Sequence, residues 1–378
     1  MKITIITSPF GYIPPKGIGA VEKLWYDIGL EFVKQGHNVC FISKTNGNIK
    51  ESDTLVEHGV SYLFVKGYRR GLLFLDLILD FIYSLKALLK MKSCDILVMN
   101  TFWTPALCGL FRKKYKVSVY NVERMPKGQF GLYPAVDRLS CVSQAVKKVL
   151  IEQAPNLVDK IKVISNPVNT EVYSYTERDK ADGMIVVMYH GRIHPEKGLD
   201  ILVKAYNSLL AEYDNLALVL VGTVSKEMGG GGNEYRRYLE SLTHRKIKFV
   251  DPISDARLLS ETVASCDIYC YPSVAEKGET FGVAPLEAMA LGRPVIVSDL
   301  DCFKDFVEDG INGFIFDHRE KGAVERLSYL MKQLIENEEL CKDIGCHAAK
   351  TAKRFSVANI ADSYLQDFNQ MMLDKKYK

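Results

Sequence analysis

No apolar run in this 378-residue chain reaches the roughly 18 residues that a membrane-spanning helix needs. An integral membrane protein is therefore not expected. Cysteine is sparse and badly paired: nine residues, an odd number, with Cys266/Cys270 and Cys341/Cys346 the only close pairs and no Cys-x-x-Cys. That spacing excludes a disulfide framework or a zinc ribbon, and His347 beside Cys346 completes no zinc set. Reduced thiols, packed as small hydrophobes in a cytosol, are expected instead. The N-terminal MKITIITSPF lacks a charged-then-apolar leader with a cleavage site and reads as strand and turn, which points to a cytoplasmic chain. Basic residues are not interleaved with aromatics, and no nucleic-acid module is recognisable, so a nucleic-acid partner is not expected.

The composition that remains, 47% hydrophobic and 25% charged, is that of a soluble enzyme, and the length suits two domains better than one. A net charge of +3 hides a division. Residues 1–166 carry 23 Lys+Arg against 13 Asp+Glu, and residues 167–355 carry 23 against 30. A basic half and an acidic half suggest two domains meeting different ligands, the basic one facing something anionic.

Apolar strand-like runs alternate with helical patterns along both halves. KITIIT, NVCFIS, SYLFV, DILVMN, VSVYNV, LSCVS and KVIS form a first series; MIVVMYH, LALVLVG, IKFV, DIYCYPS, PVIVS and GFIF form a second. Alternation of this kind means parallel sheets covered by helices on both faces. Two series joined near SNPVNTEVY (165–173) predict two doubly wound α/β domains with a hinge there, domain one at 1–166 and domain two at 167–355. Sites in such sheets lie outside the carboxyl ends of strands, so the active site is expected in a cleft between domains.

The stretch GETFGVAPLEAMALGRPVIVSD (278–299) falls in that region. Strand DIYCYPS ends near Ser273, a loop follows, and a helix is expected from Val283 to about Gly292. Glu279 then lies in the loop and Glu287 on the helix. The backbone N–H groups of Phe281, Gly282 and Val283 stand at the helix N-terminus, a ready anion site, and Gly282 would let a ligand approach closely. A carboxylate repels phosphate but accepts hydrogen bonds from hydroxyls. A diphosphate at the turn, flanked by a sugar and a ribose, would give each glutamate a partner, whereas Glu276 reads as a merely solvated neighbour. Upstream, YHGRIHPEKGLDILVKAY (189–206) places Arg192 and Lys197 just after a strand, where a planar fork and a point charge suit a diphosphate.

Taken together, GRIHPEKG, PSVAEKGETFGVAPLEAMALGRPVIVSD and DGINGFIF resemble the nucleotide-sugar-dependent glycosyltransferases of family 4. GIGAVEKLWYDIGLEFVKQGHNV near the start and VSQAVKKVL…KVISNPVNTEVY at mid-chain extend the resemblance over essentially the whole chain. It implies the GT-B fold, two Rossmann-like domains facing across a cleft, with a last helix at about 356–378 returning to the first domain. It also implies roles. Arg192 and Lys197 match the positions that bind the donor diphosphate. Glu279 matches the glutamate on the transferred sugar, and Glu287 the one on the ribose. Phe281, Gly282 and Val283 match the phosphate turn, and Gly19 in GIGAVE matches the N-terminal glycine loop near the donor phosphates. Transfer with retention is implied, with the leaving phosphate taking the acceptor proton, and neither metal nor other cofactor is expected. One departure stands out. The family usually has a histidine after a mid-domain strand of the first half, but here that strand reads VSVYNVERMPKG and no histidine occurs between His58 and His190. Asn121, as a hydrogen-bonding partner of the sugar, or Glu123, as a base that would put retention in question, occupies that place.

The acceptor side is less defined. Residues 66–92 begin basic and become very apolar, with Asp76, Asp80 and Ser84 recurring every four residues, so one helix with a narrow polar stripe is expected. Its wide apolar face suits either burial under the first sheet or contact with an anionic membrane. With FRKKYK (111–116), this makes a saccharide or lipid-linked saccharide acceptor the expectation, in surface polysaccharide or glycoconjugate synthesis, with at most peripheral contact on the inner membrane face. Four glycines in EMGGGGNEYRR (227–237) read as an unrestrained surface loop. Two other readings stay open: a nucleotide-sugar epimerase of the same fold, and a non-catalytic sugar-nucleotide-binding subunit. A nicotinamide enzyme is rejected, because GIGAVE lacks the third glycine of the fingerprint and no acidic residue ends the second strand.

Overall fold

The computed structural model describes residues 1–15, 20–45, 54–68, 71–177 and 183–376. The chain forms two compact units, Met1–Pro167 with Val357–Lys378, and Val168–Ser356. Unit 1 holds strands β1 (Lys2–Ile6), β2 (Asn38–Lys44), β3 (Thr54–Glu57), β4 (Val60–Val65), β5 (Cys94–Met99), β6 (Tyr115–Val122), β7 (Arg138–Cys141) and β8 (Ile161–Val163). They make one sheet in the order β3-β4-β2-β1-β5-β6-β7-β8. All pairings are parallel except β3 with β4. Helices α1 (Ala20–Lys34), α2 (Leu73–Lys90), α3 (Thr104–Leu107) and α4 (Gln144–Gln153) lie in the connections.

Unit 2 holds β9 (Ile185–His190), β10 (Leu216–Val221), β11 (Lys248–Val250), β12 (Ile268–Tyr271), β13 (Val295–Ser298) and β14 (Phe314–Phe316), in the order β11-β10-β9-β12-β13-β14 and parallel throughout. Its helices are α5 (Leu199–Leu209), α6 (Gly232–Ser241), α7 (Ala256–Ala264), α8 (Val283–Ala290), α9 (Ala323–Glu336) and α10 (Glu338–Lys353). The strand order reverses between β9 and β12, and a doubly wound sheet opens its ligand crevice at the carboxyl end of such a reversal. The last helix, α11 (Val357–Lys376), belongs to unit 1: Tyr364 packs on Trp25, Phe368 on Phe32, and Asp367 accepts from Arg138 Nε at 2.9 Å.

Three expectations are corrected. First, the strand series missed β3, an exposed edge strand with no buried position to betray it. Second, α2 begins at Leu73 rather than 66, and its polar stripe faces inward. Asp80 and Ser84 are buried, while Leu73, Phe74, Leu75, Ile78, Phe81, Ile82 and Leu89 are exposed. Burial of the wide apolar face under the sheet is therefore met only in part: Tyr83, Ala87 and Leu88 are buried beside the polar stripe, and the rest of the face is exposed or half-buried. The cause is local. The segment after β5 presents free N–H groups at the start of α3, and Asp80 Oδ2 accepts from Phe102 N at 3.0 Å and Trp103 N at 3.2 Å. Ser84 is hydrogen-bonded to Thr101 at 3.0 Å. The stripe faces inward because that segment needs its acceptors. Third, the four glycines are not unrestrained. Gly230 N donates to Ser225 O, Gly231 N to Ile193 O and Gly232 N to Val224 O, at 2.7, 2.7 and 2.8 Å. A Cβ on Gly230 would lie 2.4 Å from the Val224 carbonyl carbon, so the glycines permit close packing rather than freedom.

Candidate active site

Strand β9 ends at His190, and Gly191–Arg192 carries the chain out of the sheet. A short 3-10 turn at Pro195–Lys197 follows, and α5 starts after Gly198. The other side of the strand-order reversal is β12, which leads through the loop 272–282 into α8. Loops from both sides thus bring Lys197 and Glu279 together, with Nζ 2.7 Å from Oε2 and both side chains at or below 10% exposure. Lys197 Nζ also lies 5.4 Å from the centroid of the Tyr271 ring. A buried lysine held between a carboxylate and an aromatic face keeps its charge out of bulk water, where it acts strongly on any anion that enters.

Arg192 is placed differently. It is exposed, donates from Nη1 to Gly229 O at 3.0 Å, and pairs with Glu196. The glycine turn thus holds Arg192 by a backbone carbonyl, and a long side chain at the surface can exchange those partners for a phosphate. Glu287, on the second turn of α8, is hydrogen-bonded to His190, with Nε2 and Oε2 2.9 Å apart. Phe281, Gly282 and Val283 form the N-terminus of α8, which no side chain caps. Phe281 is buried against Phe306 and Phe355. Gly282 has φ +92°, and a Cβ there would lie 2.4 Å from Phe303 Cε1. The fold itself therefore requires glycine, whatever approaches the turn.

Glu276, expected to be solvated only, accepts from Arg319 Nε at 2.7 Å and pairs with His318 at 3.1 Å, tying the loop to the segment after β14. Asp299 and Asp301 after β13 both pair with Lys304, at 2.7 and 3.3 Å.

Asn121 and Glu123 lie in unit 1 and contact each other. Asn121, at the end of β6, donates from Nδ2 to Glu123 Oε1 at 2.6 Å and to Asn100 Oδ1 at 3.2 Å, while its own buried Oδ1 has no partner. Glu123 Oε2 accepts from Asn166 at 3.2 Å. Burial pushes the Glu123 carboxyl above the usual carboxylate range, the amides of Asn121 and Asn166 oppose that, and Glu22 adds to it. Gly19 lies outside the described residues. The residue missed from sequence is His190. It stands two positions before Arg192, and the available signal was a polar ring ending an otherwise apolar strand.

Two family models match the chain almost end to end, Glycosyltransferase Family 4 over residues 19–172 and Glycosyl transferases group 1 over residues 176–351. The chain belongs to the family 4 glycosyltransferases. It is 28% identical to phosphatidyl-myo-inositol mannosyltransferase of Mycobacterium leprae over 48% of this chain and 45% of that one. It is 29% identical to D-inositol 3-phosphate glycosyltransferase of Stackebrandtia nassauensis over 61% and 53%. The match thus spans about half the length of these curated relatives. Among solved structures, sucrose-phosphate synthase of Thermosynechococcus elongatus superposes with TM-score 0.78 at 17% identity, covering 99% of this chain and 100% of that one. HepE of Anabaena, solved with UDP and glucose, superposes with TM-score 0.73 at 21% identity, covering 98% and 100%. Two parallel-sheet units and these likenesses make the fold GT-B.

Proposed function

We propose that this glycosyltransferase moves a hexose-type sugar from a nucleoside diphosphate to a saccharide, free or lipid-linked, in surface polysaccharide or glycoconjugate synthesis. Transfer retains the anomeric configuration and uses no metal ion. The reading rests on one arrangement: the uncapped N-terminus of α8, with Glu279 held on Lys197 on one side and Glu287 held on His190 on the other. The helix N–H groups take one phosphate. Lys197, which has three N–H donors, serves Glu279 and a phosphate oxygen together, and Arg192 leaves Glu196 for the same anion. Glu279 accepts hydroxyls of the transferred sugar and Glu287 those of the ribose. As the bond from the sugar C1 to the phosphate oxygen breaks, the acceptor oxygen bonds to C1 on the same face. The departing phosphate takes the acceptor proton, and Arg192 and Lys197 neutralise its growing charge in place of a metal. The likeness to HepE makes UDP the first nucleotide to try.

Unit 1 supplies the acceptor side. Asn121 Oδ1 is an acceptor without a partner, suited to a sugar hydroxyl, and Glu123 holds the Asn121 amide. Glu123 is a binding partner in this reading rather than a base, since both its oxygens already accept amide hydrogen bonds. No helix among the described residues is long and apolar enough to cross a membrane. The exposed apolar face of α2, with exposed Lys86, Lys92, Arg112 and Lys113 in the same unit, supports a lipid-linked acceptor and a peripheral position on an anionic bilayer.

Thermal melting with UDP, GDP, ADP, TDP and CMP, on wild type and Glu287→Ala, tests the donor half. One diphosphate should raise the melting temperature of the wild type, and the substitution should abolish the rise. Turnover of the matching nucleotide sugar should survive EDTA, and NMR of the product should show the donor anomer. If every nucleotide leaves the wild type unshifted, the diphosphate–ribose assignment fails.

A further inference from the structure

We propose that His190 is a positioning residue for Glu287, and that recognition of the nucleotide ribose depends on the pair rather than on the glutamate alone. This rests on the reading of Glu287 as the ribose carboxylate.

His190 closes β9, a strand otherwise of Ile, Val, Met and Tyr. Its side chain is 8% exposed, with Nε2 2.9 Å from Glu287 Oε2. The Tyr269 ring lies 5.3 Å away, centroid to centroid. The Tyr269 hydroxyl is 3.4 Å from both His190 N and His190 O, so it engages the backbone. Nδ1 is buried and has no partner. A buried nitrogen without a partner is a cost to the fold, and an apolar side chain would serve the sheet without it. The ring's hydrogen bond to Glu287 is what the histidine adds.

That bond has a defined effect. An ionised carboxylate only accepts, so Nε2 carries the proton and donates it to Oε2. Glu287 is 19% exposed on its side chain and has three rotatable bonds. One charge-assisted hydrogen bond on Oε2 fixes the plane of the carboxylate. Oε1 is then presented in one orientation to a pair of vicinal hydroxyls, without the entropy of ordering the side chain on binding. The device is linked to the phosphate end as well, because Arg192 is two residues along the same chain segment.

The test is calorimetric binding to the full chain of UDP, GDP and ADP and their 2′-deoxy counterparts. Wild type, His190→Met, His190→Gln and Glu287→Gln are compared. His190→Met keeps the volume and removes the donor; His190→Gln restores an N–H at similar reach. Wild type should prefer the ribonucleotide. His190→Met should reduce that preference about tenfold, the value of one hydrogen bond to a charged group, with the deoxy form, which keeps only the 3′-hydroxyl, weakened less than the ribonucleotide. His190→Gln should recover most of it, and Glu287→Gln should lose it. Three outcomes overturn the proposal. If His190→Met keeps the full preference while Glu287→Gln loses it, the ribose reading stands and the positioning role is wrong. If His190→Met weakens ribo and deoxy forms equally, the histidine is only structural. If Glu287→Gln keeps the preference, or the wild type binds no diphosphate, the ribose reading itself fails and this inference falls with it.

Discussion

Lys197 and Glu279 are a buried pair, so each is the reason the other can be charged there. Removing one leaves the other uncompensated, at a cost of about 3–5 kcal/mol. Lys197→Met should lower stability by that order in urea unfolding and reduce sugar transfer more than about 100-fold, since it also removes charge from the leaving group. The double variant Lys197→Met/Glu279→Gln should regain most of the stability and none of the activity. A double variant as unstable as the single one would show that the pair is not what stabilises the loop. Asp80 makes a second prediction. Burial pushes its carboxyl up to about 6, against the hydrogen bonds from Trp103 and Phe102. The folded state therefore holds the proton more tightly than the unfolded chain. Its contribution is fully present only below the ordinary aspartate value of about 3.9 and is lost as pH rises through about 6. The stability of wild type relative to Asp80→Asn should fall by about 2 kcal/mol between about pH 4 and pH 7.5 in parallel melts.

Helix α2 shows what a pattern can and cannot tell. The four-residue recurrence of Asp76, Asp80 and Ser84 fixed the helix but not which side faces in, because the residues that need those acceptors, Phe102 and Trp103, are some twenty positions away. The glycine turn fails the same way: its composition is visible, but the carbonyls of Ser225, Ile193 and Val224 that receive its N–H groups are not. Most of the apolar strands, such as β1, β5, β10, β12 and β13, were legible because they are buried on both faces and read as unbroken runs. Motif spacing singled out Glu279, Glu287, Arg192 and Lys197 as candidates, whereas their partners are matters of side-chain direction, and His190 had no spacing to announce it. For α2, Phe74→Ser/Ile78→Ser should weaken sedimentation with phosphatidylglycerol vesicles at least tenfold, since each apolar side chain transferred is worth about 1.5–3 kcal/mol. Stability should change by no more than about 0.5 kcal/mol per site, because both residues are exposed. Unchanged vesicle binding would remove lipid as the occupant of this face.

The whole molecule is two units of opposite charge, and its last helix completes the first of them. Tyr364, Leu365, Phe368 and Met371 are buried in unit 1. At about 1.5–3 kcal/mol each, they contribute roughly 6–12 kcal/mol, the order of an entire domain's stability. A chain cut after Ser356 should therefore leave unit 1 unfolded, seen as rapid hydrogen exchange in β1, β2 and β5, while β9 to β14 remain protected. The same feature sets a schedule for synthesis. Trp25 and Phe32 leave the ribosome early, but Tyr364 and Phe368, which cover them, are more than 300 residues behind. At about 5–20 residues per second, that is a delay of roughly 15–70 s during which an aromatic patch of the nascent chain is bare. Unit 2 is complete before unit 1, which inverts the usual order of assembly along a growing chain and makes the first half of this protein the part that needs a chaperone's cover.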